Sequence, residues 1–377
     1  MRARTGAEMT RLDNPGLRSM TGMRPRLGAA WEAEDLFLET VLFIDYATTV
    51  KLLSVADAMA ICEDVFRMHA RNSVKWSVPP SQKLDVGAPF HNHWHVKTVI
   101  LEDEPVAGVR LYTYYDDGLR NTVGRLDCTR YIVISDPKTA QPLCIMDEHW
   151  TYAIRSAAAA MVALKWLGPK APQTLGLVGV GTMGENCLRC LQHLYRFDGI
   201  VCTSRRPETR AAFADKWSKK LGIPVRTTDS IEEVVRGSDI AIGGTTRTDI
   251  VSREPWVKPG ATFVSMARRE MDPAGWARFD KTVIDDWDCN MTVREFREMI
   301  EAGQFDRTRL HADIGEVVAG LKPGRERDDE RILIHTTGMV SHDIGICWRI
   351  YQQAKAQGLG IALPTAVAQQ AFSPKDQ

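Results

Sequence analysis

Three glycines, Gly179, Gly181 and Gly184, stand in LGLVGVGTMGENC with G-x-G-x-x-G spacing. An apolar run that reads as a strand precedes them and a segment that reads as a helix follows, the context in which this spacing carries meaning. Gly179 allows a tight turn, Gly181 lets backbone approach a pyrophosphate, and Gly184 lets helix and strand pack closely. The amides around Thr182 and Met183, at the helix start, then offer the positive end of a helix dipole to phosphate. The alternative is a glycine turn in an α/β domain with no ligand. An NAD site commonly has a carboxylate about 20 residues further on, at the end of the next strand. Here VCTSRRPETR supplies Ser204, Arg205 and Arg206. Two guanidinium groups without a carboxylate suit a 2′-phosphate, so NADP is expected over NAD. Thr245 and Thr246, in GGTTRTD, end a later strand and are expected beside the nicotinamide ribose.

His91, His93 and His95 alternate in FHNHWHVK, which places them on one face of a strand. Neutral imidazoles can bind a divalent metal, but no second segment offers the remaining ligands, and no metal is expected. His93, central and next to Trp94, is the candidate proton carrier, since histidine titrates near neutrality. Hydrogen-bonded structural histidines are the other reading. Cys187 and Cys190 have C-x-x-C spacing in mid-helix, where two small core residues are expected.

Several elements must position these groups. Residues 50–71 predict one amphipathic helix, capped by Ser54 or Asp57, with Ala58, Ile61, Val65 and Met68 turned inward. The runs HWHVKTVIL, AGVRLYTYY, RYIVISD and PLCIMD predict a mostly antiparallel sheet. DEHWTYAIRSAAAAMVALKWLG reads as a helix with an acidic first turn. After the hinge GPKAPQ, strands alternate with helices, which implies a parallel, doubly wound sheet of Rossmann type. RILIHTTGMV reads as one more strand, before a closing helix ended by Gly358. The expected division is a loosely ordered extension over 1–40, an α+β substrate domain from 41–168 with 330–377, and a dinucleotide-binding domain over 169–329.

The chain has 377 residues, with 48 Lys+Arg against 48 Asp+Glu, a balance that lacks the basic footprint of a nucleic-acid binder or a membrane-surface protein. Its longest apolar stretch, AAAAMVAL, is too short for a membrane span. The arginine-containing N-terminus also holds Glu8 and Asp13 and has no apolar core, so a cytoplasmic location is expected. Eight cysteines in this length are not a disulfide scaffold.

Taken as a set, AIRSAAAAMVALKWL, GLVGVGTMG, the helix at 55–70 and GEVVAGLKPGRERDDERILIHTTGMVSHDIG resemble the ornithine cyclodeaminase/mu-crystallin family, over about residues 45–360. The resemblance implies a two-domain, NAD(P)-dependent enzyme, usually a dimer through the non-nucleotide domain. It implies hydride transfer at a carbon bearing nitrogen, as in amino-acid dehydrogenases, ketimine reductases and enzymes of opine-like N-substituted amino acids. It places a carboxylate-binding arginine at Arg155 and the family's substrate lysine at Arg110. Arginine keeps the charge but does not readily release a proton. Lys83 is the cation nearest a further family arginine. Asp343 matches an acidic position, and Gly338 and Met339 match residues near the nicotinamide. The Gly-rich loop that carries the catalytic aspartate of cyclodeaminases is replaced by SMARREMDPAGW, where Asp272 is the nearest carboxylate and also a natural N-cap.

An amino- or imino-acid substrate is therefore expected, its carboxylate held by Arg110 and Arg155, with His93, Asp272 or Asp343 handling the proton. An ornithine-type cyclodeaminase with tightly bound NAD and a non-catalytic nucleotide-binding protein are the alternatives.

Overall fold

The computed structural model describes residues 40–86, 92–115, 128–245, 249–267 and 269–365. His91, Thr246 and the N-terminal extension over 1–39 lie outside the described residues. The chain begins with β1 (Thr40–Ile44), α1 (Tyr46–Leu52) and α2 (Val55–Ala70). The single helix expected over 50–71 is thus two. Ser54 is extended, and its hydroxyl accepts from the Asp57 amide at 3.1 Å, which starts α2 afresh. Ala58, Ile61, Val65 and Met68 are buried, as their spacing predicts.

Strands β2 (Val74–Trp76), β3 (Gln82–Val86), β4 (Asn92–Leu101), β5 (Val106–Tyr115), β6 (Cys128–Ser135) and β7 (Pro142–Asp147) follow. With β1 and the last strand, β16 (Ile361–Pro364), they form an eight-stranded sheet ordered β16-β1-β7-β6-β5-β4-β2, with β3 also paired to β4. Neighbours from β4 to β7 are antiparallel, as the alternating runs predict, while β1 joins β7 in parallel. Helices α3 (His149–Val162) and α4 (Leu164–Leu167) lead out of this layer.

The second layer runs β8 (Thr174–Val178), α5 (Thr182–Leu191), β9 (Gly199–Thr203), α6 (Pro207–Leu221), β10 (Val225–Thr227), α7 (Ile231–Arg236), β11 (Ile240–Gly243) and β12 (Thr262–Ser265). It continues through β13 (Lys281–Ile284), α8 (Trp287–Met291), α9 (Arg294–Glu301), β14 (Ala312–Asp313), α10 (Ile314–Val318) and β15 (Ile332–His335). Its order is β10-β9-β8-β11-β12-β15-β13-β14, parallel throughout. The chain reverses direction across the sheet between β8 and β11, and a doubly wound sheet binds its ligand at the carboxyl ends beside such a switch point.

One boundary is corrected. β15, which the sequence grouped with the substrate domain over 330–377, lies in the second sheet between β12 and β13. Its four residues are all buried, as suits an inner parallel strand. The next helix, α11 (Val340–Gln357), returns to cover β4, β5 and β6. Helix α3 packs on α2, α5 and α11, and its buried Ala157–Ala160 run lets those axes approach closely. This alanine-rich helix joins the two layers into one core. Cys187 and Cys190 are buried in that core, as expected. Among the described residues, no helix is long and apolar enough to cross a membrane.

Candidate active site

The glycine turn stands at the switch point. Gly179 has φ +101°, and a side chain there would meet the Gly244 carbonyl oxygen at 2.5 Å. A Cβ on Gly184 would meet the Gly179 carbonyl oxygen at 2.2 Å. Gly181 instead faces open space, with nothing within 4 Å of where a Cβ would stand, and it begins α5 without a side-chain cap. A tight turn, an open cradle and a close helix contact are what a dinucleotide pyrophosphate requires, so these residues fit that group. Thr182 is exposed beside Gly181, and Met183 reaches the cleft described below. Thr245 lies against the turn, its amide donating to Glu270 at 2.8 Å. Glu270 also accepts from the Met266 and Ala267 amides and so ties the loops after β11 and β12 together. Burial pushes its carboxyl up to about 7, against the pull of those amides. After β9, Ser204 donates to the Arg206 carbonyl, and Arg205 and Arg206 are exposed. Among the described residues neither guanidinium makes an ion pair.

A cleft of about 70 Å³ opens where the carboxyl ends of the second sheet meet α3 and α11. Tyr152, Arg155 and Ser156 of α3 line one wall, and Met183, Met266, Asp285 and Thr336–Gly338 line the other. Arg155 is buried and bonds through Nε to Asp343 of α11. Among the described residues no hydrogen bond engages its two terminal nitrogens. Gly338 has φ +83°, and a Cβ there would sit 2.4 Å from Arg155 Nη1. Its amide and that of Thr337 each donate to Asp285 at 2.7 Å. Asp285 thereby shapes the turn under the guanidinium. It directly follows β13, and the carboxyl-end rule could have singled it out in the sequence.

Behind this wall lies a buried charge network. Arg110, on β5, bonds through Nε to Glu148 at 2.5 Å and lies 3.8 Å from Asp343. Its guanidinium carbon stands 4.2 Å from the Tyr112 ring centroid, and that of Arg130 stands 3.7 Å from the Tyr152 centroid. Burial alone would raise the Asp343 carboxyl, but Arg155 and Arg110 outweigh it and hold Asp343 below the usual carboxylate range. Burial lifts Glu148 to about 7 despite Arg110, with Asp343 adding repulsion. Lys97 stands directly across from Arg110 on β4. Four cations, Lys97, Arg110, Arg130 and Arg155, therefore face three carboxylates, Glu148, Asp343 and Asp285, and burial favours the neutral form of Glu148. Such a site attracts an anion.

The structure brings together Arg155, Asp343 and the glycine turn, but not every residue the sequence nominated. Arg110 is buried behind the cleft rather than lining it. His93 lies on the exposed end of β4, with Nδ1 2.8 Å from Asp85. Lys83 is exposed on β3, opposite His95. Asp272 accepts from the Ala274 amide as an N-cap and pairs with Arg253 at 3.4 Å, away from the arginine network. Met339 caps α11 fully buried, and its neighbours Thr337 and Gly338 line the cleft in its place. Of the histidine run, His95 stacks on Tyr112, and burial, with Lys83 and Lys97, pushes it down to about 4. Glu148 escapes a reading of the sequence because it looks like the acidic start of a helix. It occupies the N-cap position of α3 but caps nothing, its side chain being turned to Arg110.

Comparison with known proteins agrees with this geometry. The family model for ornithine cyclodeaminase/mu-crystallin matches residues 46–358. N-((2S)-2-amino-2-carboxyethyl)-L-glutamate dehydrogenase of Staphylococcus aureus is 30% identical over 235 residues, 62% of this chain and 70% of that protein. Alanine dehydrogenase of Archaeoglobus fulgidus is 26% identical over 82% of this chain and 94% of its own. The solved Delta(1)-pyrroline-2-carboxylate reductase of Thermococcus litoralis, in complex with NADH and L-proline, superposes with a TM-score of 0.78 at 26% identity, covering 86% of this chain and all of that one. The chain belongs to the ornithine cyclodeaminase/mu-crystallin family.

Proposed function

We infer that this protein is an NAD(P)-dependent oxidoreductase that interconverts an imino acid and an amino acid. The observation that carries this reading is Arg155, which lines a cleft that the dinucleotide turn's own Met183 also lines and whose terminal nitrogens make no hydrogen bond among the described residues. A carboxylate on Arg155 would put the adjacent carbon, the one bearing nitrogen, inside that cleft. The relatives named above act on substrates of this pattern, a carboxylate next to a carbon–nitrogen bond. When bound, the dinucleotide supplies or accepts the hydride. The chain's part is to cradle the diphosphate at Gly181 and Thr182, to clamp the carboxylate at Arg155 and to hold that clamp with Asp343 and Gly338. Nicotinamide absorbance, followed with a panel of imino and amino acids under both cofactors, tests the reading. Net oxidation of the reduced cofactor supports it, and ammonia release with the cofactor unchanged favours a cyclodeaminase instead.

The cofactor we propose is NADP, on the strength of Arg205 and Arg206 at the end of β9. Losing a charged hydrogen bond costs about 1.5–3 kcal/mol, so Arg205→Ala with Arg206→Ala raises the KM for NADPH at least about tenfold. The KM for NADH stays within about twofold on the same ground. Equal effects on both cofactors in parallel assays would rule out a 2′-phosphate contact.

A homodimer is the proposed assembly. The face of the first sheet turned away from α11 exposes Leu84, Trp94, Ile100, Val109 and Tyr131 on four adjacent strands. A contiguous apolar patch of this kind marks an interaction surface. Light scattering after size exclusion is expected to give twice the chain mass, and Val109→Glu with Tyr131→Glu to give the chain mass. A monomeric wild type removes the proposal. A cytoplasmic location is proposed from the cysteines, of which Cys62, Cys144, Cys187, Cys190, Cys202, Cys289 and Cys347 are free thiols.

A further inference from the structure

We propose that Lys97 is the proton donor and acceptor of this site. The proposal rests on the oxidoreductase reading above and names the group that serves the substrate nitrogen. Lys97 extends the alternating series of His93 and His95 by one step, on the face of β4 that turns inward. Its cross-strand partner is Arg110. Arg110 of β5, Arg155 of α3, Asp343 of α11 and Cys289 of α8 surround it electrostatically. Among the described residues its ammonium makes no hydrogen bond and no ion pair. Burial, followed by Arg110, lowers the amine to about 8.

A half-buried, unpaired cation set among arginines costs stability. Strongly perturbed groups of this kind concentrate at functional sites. The other titratable groups suit the task less. His342 lines the cleft, but burial pushes it down to about 3, so it carries no proton to give near neutrality. Asp343 is held ionised by two arginines, and Glu148 is sealed behind Arg110 with no exposure. Lys97 stands across from Arg110 on the inward face of β4 and is near enough to Arg155 of α3 and Cys289 of α8 for both to act on its charge. In an α-imino acid one carbon separates the carboxylate from the nitrogen, so a carboxylate on Arg155 leaves the nitrogen for a neighbouring donor.

In the reductive direction an N–H bond of the Lys97 ammonium breaks and an N–H bond to the imine nitrogen forms. A bound reduced dinucleotide would supply the hydride for the carbon and be the group oxidised, and water restores the proton to Lys97. In the oxidative direction the neutral amine accepts the substrate's proton.

The sign of the pH dependence follows. Reductive kcat falls as pH rises through about 8, where Lys97 loses its proton, and oxidative kcat rises through the same range. Lys97→Met is expected to lose about a hundredfold or more in kcat. It should retain NADPH binding by fluorescence titration and melt no lower than wild type, because an unpaired charge has been removed. The pH limb near 8 disappears, and added methylammonium restores part of the rate. Lys97→Arg keeps the charge and stays slow, which separates proton transfer from simple attraction of the substrate. A folded Lys97→Met variant that keeps its kcat, or that keeps the alkaline limb, overturns the assignment while leaving the oxidoreductase reading intact. A wild-type protein that turns over no imino or amino acid with either cofactor overturns both.

Discussion

Replacing Arg155 by methionine is expected to lower kcat/KM for the amino- or imino-acid substrate about a thousandfold, since truncating one partner of a buried charge pair costs about 2–5 kcal/mol. Dinucleotide affinity should not change, because Arg155 belongs to α3 and the cradle to the turn before α5. The variant is also expected to be less stable. Asp343 loses its near partner and keeps only Arg110, 3.8 Å away. Removing one member of a buried ion pair typically costs about 3–5 kcal/mol. The two effects can be separated. Arg155→Met combined with Asp343→Asn takes away the stranded charge as well, so thermal stability recovers while turnover does not. Arg155→Lys keeps a cation but loses the planar fork, and should fall between wild type and methionine. Steady-state kinetics and melting curves on the four proteins decide the matter. An Arg155→Met enzyme with unaltered substrate KM and kcat removes the carboxylate clamp from the proposed function.

The second large effect concerns the glycine turn, where three similar residues should fail in different ways. Gly181 has ordinary backbone angles and open space in place of a side chain. Gly181→Val therefore leaves the fold and its melting temperature nearly unchanged. It fills the cradle, however, and two lost charged hydrogen bonds at about 1.5–3 kcal/mol each weaken dinucleotide binding at least about a hundredfold. Gly184→Val instead drives carbon into the Gly179 carbonyl, a backbone atom with little freedom to retreat. That variant should lose stability first and binding as a consequence. Gly179→Val combines a positive φ with a clash against Gly244 and should behave like Gly184→Val. Calorimetric titration and melting of the three variants give the comparison. A Gly181→Val protein that binds both reduced nucleotides as tightly as wild type shows that no diphosphate sits at this turn.

The contrast among these glycines shows what kind of information a sequence exposes. Gly179, Gly181 and Gly184 act within six residues of one another, and local sterics alone assign their roles. The strand–helix alternation after residue 174 and the alternating strands before it are equally local signals. So are the cap at Ser54 and the inward stripe of α2. Lys97 continues the alternation of His93 and His95, but the histidines draw attention to the exposed end of a strand whose inward, half-buried stretch holds the amine. Glu148 and Asp147 together resemble the acidic opening of a helix.

By itself the sequence determined the doubly wound sheet, the glycine turn at its switch point and the family, and it nominated Arg155 for the proposed site. Each of these depends on spacing along one stretch of chain, where periodicity and backbone sterics act directly. Only the tertiary structure decided which charges meet. Arg110 and Glu148 are 38 residues apart, and Arg155 and Asp343 are 188 apart. A side chain's protonation and accessibility depend on what the folded chain packs around it, which no local pattern encodes. Burial beside Asp343 raises Glu148, partial burial among arginines lowers Lys97, and His93 and Asp272 are left at the surface with partners of their own.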